Sequence, residues 1–223
     1  MTTMVIVGAG QGLGAAVARQ FGRDGFDLAL VARDQDRVDT LAAALDKDGV
    51  TAQGFAADVR DPAGLEAALD AAAAALGPIE VLQYSPAPHA DFMKPLLETS
   101  PADFTGPLEF SLYGAVTAVL AVLPDMRFLG RGTILFVNGG SAVRPLPARA
   151  GTSVAYAAES AYARMLHETL ATEDIHVAQL IIPGVITPGH PSNDPATLAA
   201  ALWAMHQDRT GFRHFAGVLE GEG

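Results

Sequence analysis

The chain has 223 residues, 50% of them hydrophobic and 17% charged, with a formal net charge of −11 and no cysteine. This composition suits one globular α/β domain spanning residues 1–223 and excludes disulfides, thiolate catalysis and cysteine-bound zinc. The six histidines show no paired spacing such as HxxxH, so no metal site is expected, and no basic run offsets the acidic balance to make a nucleic-acid groove. The opening apolar run, MVIV, breaks at Gly8, and the longest later one, GAVTAVLAVLP, falls short of the roughly 18 residues of a membrane span. A cytoplasmic protein with no membrane partner is the expectation.

Apolar, β-branched runs predict strands at 3–8, 27–32, 51–58, 79–85, 132–138 and 175–182. Between and after them, apolar spacing and breakers predict helices at about 12–24, 35–47, 62–76, 101–128, 152–172 and 194–207. The Ala-rich stretch LEAALDAAAAALG keeps Leu65, Leu69 and Leu76 on one helical face, which marks an amphipathic helix rather than low complexity. Strands joined by helices of this length pair in parallel through right-handed crossovers. The expected fold class is α/β, a single doubly wound parallel sheet flanked by helices on both faces.

The first strand runs into GAGQGLG, with glycines at Gly8, Gly10, Gly12 and Gly14. A G-x-G-x-x-G begun at Gly8 fails because Leu13 stands where a small residue is needed, whereas G-x-x-x-G-x-G fits Gly8, Gly12 and Gly14. Small residues in the first βα turn let the backbone approach a pyrophosphate held by amides at a helix N-terminus. The alternative is a tight turn with close helix–sheet packing and no ligand.

The order and spacing of several pieces make the chain resemble the short-chain dehydrogenase/reductase family over nearly its whole length, which implies a Rossmann-like fold and an NADP(H) cofactor. By that resemblance the cofactor turn comprises Gly8, Gly10, Gln11, Gly12, Leu13 and Gly14. The second strand ends at Ala32, where an NAD-binding enzyme usually places an acid, and Arg33 follows in position to face a 2′-phosphate. Arg33 as a solvated residue ahead of a helix is the alternative. FAADVRDP resembles the segment that contacts adenine, implying Asp58 and Val59, although Asp58 equally suits a strand-end turn. PGVIT resembles the family's Pro-Gly motif beside the nicotinamide amide and points to Pro183, Gly184 and Thr187.

The catalytic half departs from the family pattern. YSPA replaces the common N-N-A-G, setting Ser85 and Pro86 against the cofactor with one amide donor fewer. Ser111 in FSLYGAV aligns with the active-site asparagine. Ser141 is the implied catalytic serine; its separation from Tyr156 is somewhat long, which leaves Asn138 and Ser153 as alternatives. YAAESAYARMLHETLA aligns with YxASKxAxxxLxxxLA, giving Tyr156 as the tyrosine and Ser160 where the lysine stands. Without that ammonium the tyrosine is expected to keep a pKa near its free value of about 10. Arg164 lies one turn beyond Ser160 as a replacement charge or a surface residue, while Tyr162 is read as packing.

PGHPSND passes quickly to the next helix, which implies an open pocket able to accept a bulky or carrier-bound substrate; the partner expected is a small-molecule or carrier-bound carbonyl compound, and His190 is a substrate contact or a plain loop residue. The terminal segment resembles the family's last helix and strand, with Trp203 and Phe215 expected in the core. By resemblance, the helices at 101–128 and 152–172 form the interface of a homodimer or homotetramer. An NADP-dependent oxidoreductase ranks first among the functions implied. An NADP-binding sensor without turnover, or a non-redox dehydratase, isomerase or cyclase on the same pocket, stays open.

Overall fold

Alternating apolar strands and amphipathic helices resolve, in the computed structural model, into a seven-stranded parallel sheet; residues 2–219 are described. In chain order the principal elements are β1 (Thr3–Val7), α1 (Leu13–Arg23), β2 (Asp27–Ala32), α2 (Gln35–Lys47), β3 (Ala52–Ala56), α3 (Pro62–Leu76) and β4 (Ile79–Tyr84). There follow α4 (Thr105–Leu108), α5 (Gly114–Leu129), β5 (Gly132–Gly139), α6 (Ala150–Leu170), β6 (Ile175–Ile182), α7 (Pro195–Asp208) and β7 (Arg213–Phe215). The strand order β3-β2-β1-β4-β5-β6-β7 reverses direction between β1 and β4, which opens a crevice at the carboxyl ends of those strands.

Both faces of the sheet are covered, so the strands read as continuous apolar runs. Met4, Ile6, Leu28, Leu30 and Leu180 meet Phe21, Leu41 and Leu198 of α1, α2 and α7 on one side. Val5, Val31, Phe136 and Val177 meet Leu65, Val119 and Ala163 of α3, α5 and α6 on the other. Helix starts follow local chemistry: Asp34 accepts from the Arg37 N–H at 3.1 Å ahead of α2, and Pro62 opens α3.

The predicted helix at 101–128 is broken rather than uniform. A 3₁₀ turn (Pro101–Phe104) and α4 lead into a π turn (Glu109–Tyr113) before α5. There the Gly114 N–H donates to the Glu109 carbonyl, while the Phe110 carbonyl accepts from Tyr84 Oη at 2.5 Å. The buried tyrosine hydroxyl takes a helix carbonyl as its acceptor, and a Cβ at Gly114 would collide with that hydroxyl. By length and composition Pro101–Leu129 is apolar enough to cross a membrane, but half of its most apolar window is buried within the fold, as a core helix is.

Trp203 packs edge-on against Phe21 at 4.9 Å between ring centroids, in line with its expected core position. Phe215 does not: it is 50% exposed on the three-residue edge strand β7, and Phe212 is buried instead. At a short edge strand alternate side chains leave the sheet for solvent, and sequence position alone did not fix the phase.

Candidate active site

A cleft of about 1200 Å³ lies over the carboxyl ends of the strands, at the β1/β4 reversal and beyond it towards β5 and β6. Its floor on the β1 side is the glycine turn. Gly8 has φ +91°, and a Cβ there would stand 2.6 Å from Pro86 Cα, so only glycine lets the β1 and β4 loops meet. Gly14 sits close under Ala9, whereas Cβ positions built on Gly10 and Gly12 meet nothing within 4 Å. Those two residues border open cleft, and the first amides of α1 carry no side-chain cap. This cradle suits a pyrophosphate: free space, backbone donors and the positive end of a helix coincide.

Gly8, Gly10, Gly12, Leu13 and Gly14 line the cleft; Gln11 is exposed in the same turn but is not part of the lining. Ser85 is held by its N–H on the Val7 carbonyl at 2.9 Å and by Gln83 Nε2 on its Oγ at 2.8 Å, and it lines the cleft together with Pro86. Arg33 follows β2 on the surface with no ion pair among the described residues, because Arg37 takes Asp34 at 3.3 Å. Asp58 accepts from the Arg60 N–H at 3.0 Å, the turn-forming arrangement, and Val59 is buried; neither belongs to the cleft lining.

The opposite wall holds Ser141, just after β5, and Tyr156 on α6. Both are more than 90% buried, and no other group among the described residues hydrogen-bonds either hydroxyl. The tyrosine is not at its free pKa. Burial, reinforced by the nearby Glu159 carboxyl, pushes it well above the ordinary value, so it is a neutral donor across the physiological range. Ser153 is removed as an alternative, since its Oγ bridges the Leu146 N–H and carbonyl.

Two of the four catalytic candidates do not come to the cleft. Ser111 is buried within the π turn, outside the lining. Ser160 points its hydroxyl at Gln179 Oε1 (2.9 Å) and accepts from Arg213 Nη2 at 2.7 Å. No charge replaces the lysine through Arg164 either, since that side chain pairs with Glu168 at 2.6 Å. The alignment identifies position 160, but the short hydroxyl finds its partners on β6 and β7. Tyr162 packs edge-on with Phe136, as expected.

Sequence reasoning passed over Glu159, which sits in plain view inside YAAES. It is fully buried, Oε1 lacks a hydrogen-bond partner, and burial raises its pKa to about 8. Asn138 offers the nearest polar neighbour, close enough to temper that shift but not aligned as a hydrogen bond; its Oδ1 accepts from Gln179 Nε2 at 2.8 Å. A buried carboxylic acid thus acts on Tyr156, with the Asn138 amide beside that acid, while Arg213 is the cation that reaches Ser160.

Pro183, Gly184 and Thr187 line the cleft above β6. Their loop is held by Asn193, another residue the sequence did not single out, whose Nδ2 donates to the Pro183 and Val185 carbonyls at 2.5 and 3.3 Å. His190 borders the cleft, yet its Nδ1 accepts from the Asn193 N–H at 3.0 Å, a role in shaping the short loop. That loop reaches α7 directly, with Asp194 as cap, and on this side Gly217, Val218 and Leu219 also line the cleft.

The family model for short chain dehydrogenases matches residues 2–197. The chain belongs to this family. D-threitol dehydrogenase of Mycolicibacterium smegmatis is 34% identical over 131 residues, 59% of this chain and half of that protein's length. Among solved structures, a short-chain dehydrogenase from Rhodopseudomonas palustris superposes with a TM-score of 0.85 at 26% identity, covering 98% of this chain and 99% of that one. L-sorbose reductase from Gluconobacter frateurii, solved with NADPH and L-sorbose, gives 0.88 at 22% identity over 99% and 97% of the two chains, a likeness of fold. Within this short-chain dehydrogenase, the tyrosine and serine are retained at the cleft and the lysine position is not.

Proposed function

We propose that this short-chain dehydrogenase is an NADP(H)-dependent oxidoreductase that interconverts a carbonyl compound and its alcohol. The observation that carries the reading is one cleft that joins the glycine cradle to two unengaged, buried hydroxyls, Ser141 and Tyr156. Amides of the Gly10–Gly12 turn hold the pyrophosphate, and Arg33 meets the 2′-phosphate that an acid after β2 would repel. Pro183, Gly184 and Thr187 border the nicotinamide amide. The bound nicotinamide supplies or accepts the hydride. Ser141 Oγ donates a hydrogen bond to the carbonyl oxygen and polarises it. Tyr156 Oη–H gives its proton to the same oxygen as the carbonyl carbon gains the hydride, which completes the alcohol.

Burial keeps Tyr156 protonated, and the charged group that acts on it among the described residues is the Glu159 carboxyl, which disfavours its phenolate. The chain's residues therefore favour reduction over alcohol oxidation at neutral pH, with modest turnover. A nucleotide-binding sensor is the second reading, favoured by the commitment of Ser160 to Gln179 and Arg213. Incubation with NADPH and a panel of aldehydes and ketones separates them: oxidation of NADPH supports the enzyme, and tight binding without oxidation supports the sensor.

Self-association belongs to the same proposal. Leu120 and Phe128 on α5 and Val154 and Met165 on α6 are exposed by 61, 84, 46 and 59%, an apolar surface that a second copy of this chain would cover.

A further inference from the structure

Among the described residues, the chain's acidic balance is not mirrored in the cleft lining. It carries 25 Asp and Glu against 14 Lys and Arg, yet no acidic side chain lines the cleft among the described residues, whereas Arg144 and Arg149 do. Both arginines come from the connection between β5 and α6, the segment that also carries Ser141 and leads into Tyr156. Sheet order places that connection on the far side of the β1/β4 reversal from Arg33 and β2, so these charges lie at the carbonyl end and not at the cofactor's phosphates.

Arg149 carries most of the weight, because Arg144 makes further contacts of its own. The Arg149 side chain has no ion pair or hydrogen bond among the described residues, and its backbone N–H is fixed on the Leu146 carbonyl at 2.9 Å. It stands immediately before α6, and Arg149, Thr152 and Tyr156 follow one another at i, i+3 and i+7 along the cleft side of that helix. Seven residues of helix rise about 10 Å, which sets the scale of the backbone separation between Arg149 and Tyr156 along α6. Apolar surface is available in the same cleft: Met93, Leu146 and Val185 border it and are 37, 41 and 77% exposed.

We infer that the substrate is a carbonyl compound with an apolar body that ends in a carboxylate or phosphate, held by Arg149 with Arg144. The inference rests on the oxidoreductase reading above for the carbonyl end only. A guanidinium fork matches either anion with paired hydrogen bonds, and a cleft lined, among the described residues, by arginines and no acids favours anions at its mouth. Methylene or aryl atoms along Leu146 and Met93 would leave water as the carbonyl reaches Ser141 and Tyr156.

The test uses oxo-carboxylic acids of graded chain length, their methyl esters and matched phosphate monoesters, with NADPH. The acids are expected to exceed their esters in kcat/KM by about tenfold or more, with an optimum in chain length that the esters do not share. The phosphate arm tells which anion is preferred. Arg149→Ala should bring the acid-to-ester ratio towards one and Arg149→Glu should take it below one, with thermal unfolding checked for each variant. Calorimetry of acid against ester, on the NADPH-loaded and the nucleotide-free protein, reads the same preference without turnover. Equal handling of acid and ester alongside NADPH oxidation overturns the inference and leaves the oxidoreductase reading standing. Absent oxidation with a retained preference for the acid in calorimetry does the reverse, and equal binding there overturns the inference.

Discussion

Glu159 is a fully buried carboxyl whose ionisation is coupled to folding. Its carboxyl is buried beside Tyr156 and its pKa rises from 4.5 to about 8, so the folded chain keeps a proton that the unfolded chain releases. Between those two values folding stability falls as pH rises, by about 1.4 kcal/mol for each pH unit at full effect, and the loss is complete above pH 8. Glu159→Gln, which keeps the shape and removes the ionisation, should match the parent at about pH 4 and below. It should be more stable by roughly a few kcal/mol at pH 8.5 in urea unfolding. Parallel stability–pH curves for the two proteins would refute the burial argument. His176, whose pKa burial lowers to about 4, works in the opposite window and destabilises the fold as pH drops below about 6.5, so it leaves this comparison at alkaline pH intact. Arg33 tests the cofactor end. Arg33→Ala should narrow an NADPH-over-NADH preference of about tenfold or more, since a charge-assisted contact to phosphate contributes roughly 1.5–3 kcal/mol; equal affinities in the parent would contradict that assignment.

At the scale of elements, the glycine turn after β1 joins two loops rather than only shaping one. Gly8→Ala puts a side chain into the positive-φ region and against the Pro86 backbone. We expect a loss of about 2 kcal/mol or more in stability together with weakened NADPH binding, measured by thermal unfolding and calorimetry. Gly10→Ala meets open space and should retain stability while affecting the nucleotide alone. The strands and helices were legible because parallel strands covered on both faces are continuous apolar runs: β2, β6 and α3 end where the pattern ends. The π turn at Glu109–Tyr113 was not legible, because its cause is Tyr84, 26 residues away, taking the Phe110 carbonyl. Phe215 was misplaced for a related reason. A three-residue edge strand has too few positions for alternation to reveal which side faces solvent.

Across the whole molecule, the apolar surface on α5 and α6 predicts a homodimer or homotetramer. Light scattering at micromolar concentration should give a mass of at least twice the 23.1 kDa chain, and Leu120→Glu with Met165→Glu should return it to monomer. A monomeric parent would overturn that proposal. The site was half legible from sequence. Local motifs name Gly8, Gly12, Ser141 and Tyr156, because backbone turns and a helix repeat fix them within a few residues. The surroundings that tune them are assembled from distant segments. Glu159 holds its proton only because burial raises its pKa, Ser160 is taken up by Gln179 and Arg213, and Arg149 meets the cleft only once α6 lies across the sheet. The central claim is that a buried, neutral Tyr156 delivers the proton in an NADPH-linked carbonyl reduction. Its most direct test is NADPH oxidation and NADPH affinity measured side by side for the parent and Tyr156→Phe. The account predicts unchanged affinity with turnover reduced by about 100-fold or more, the usual contribution of a positioned general acid. Turnover in Tyr156→Phe equal to that of the parent would contradict it.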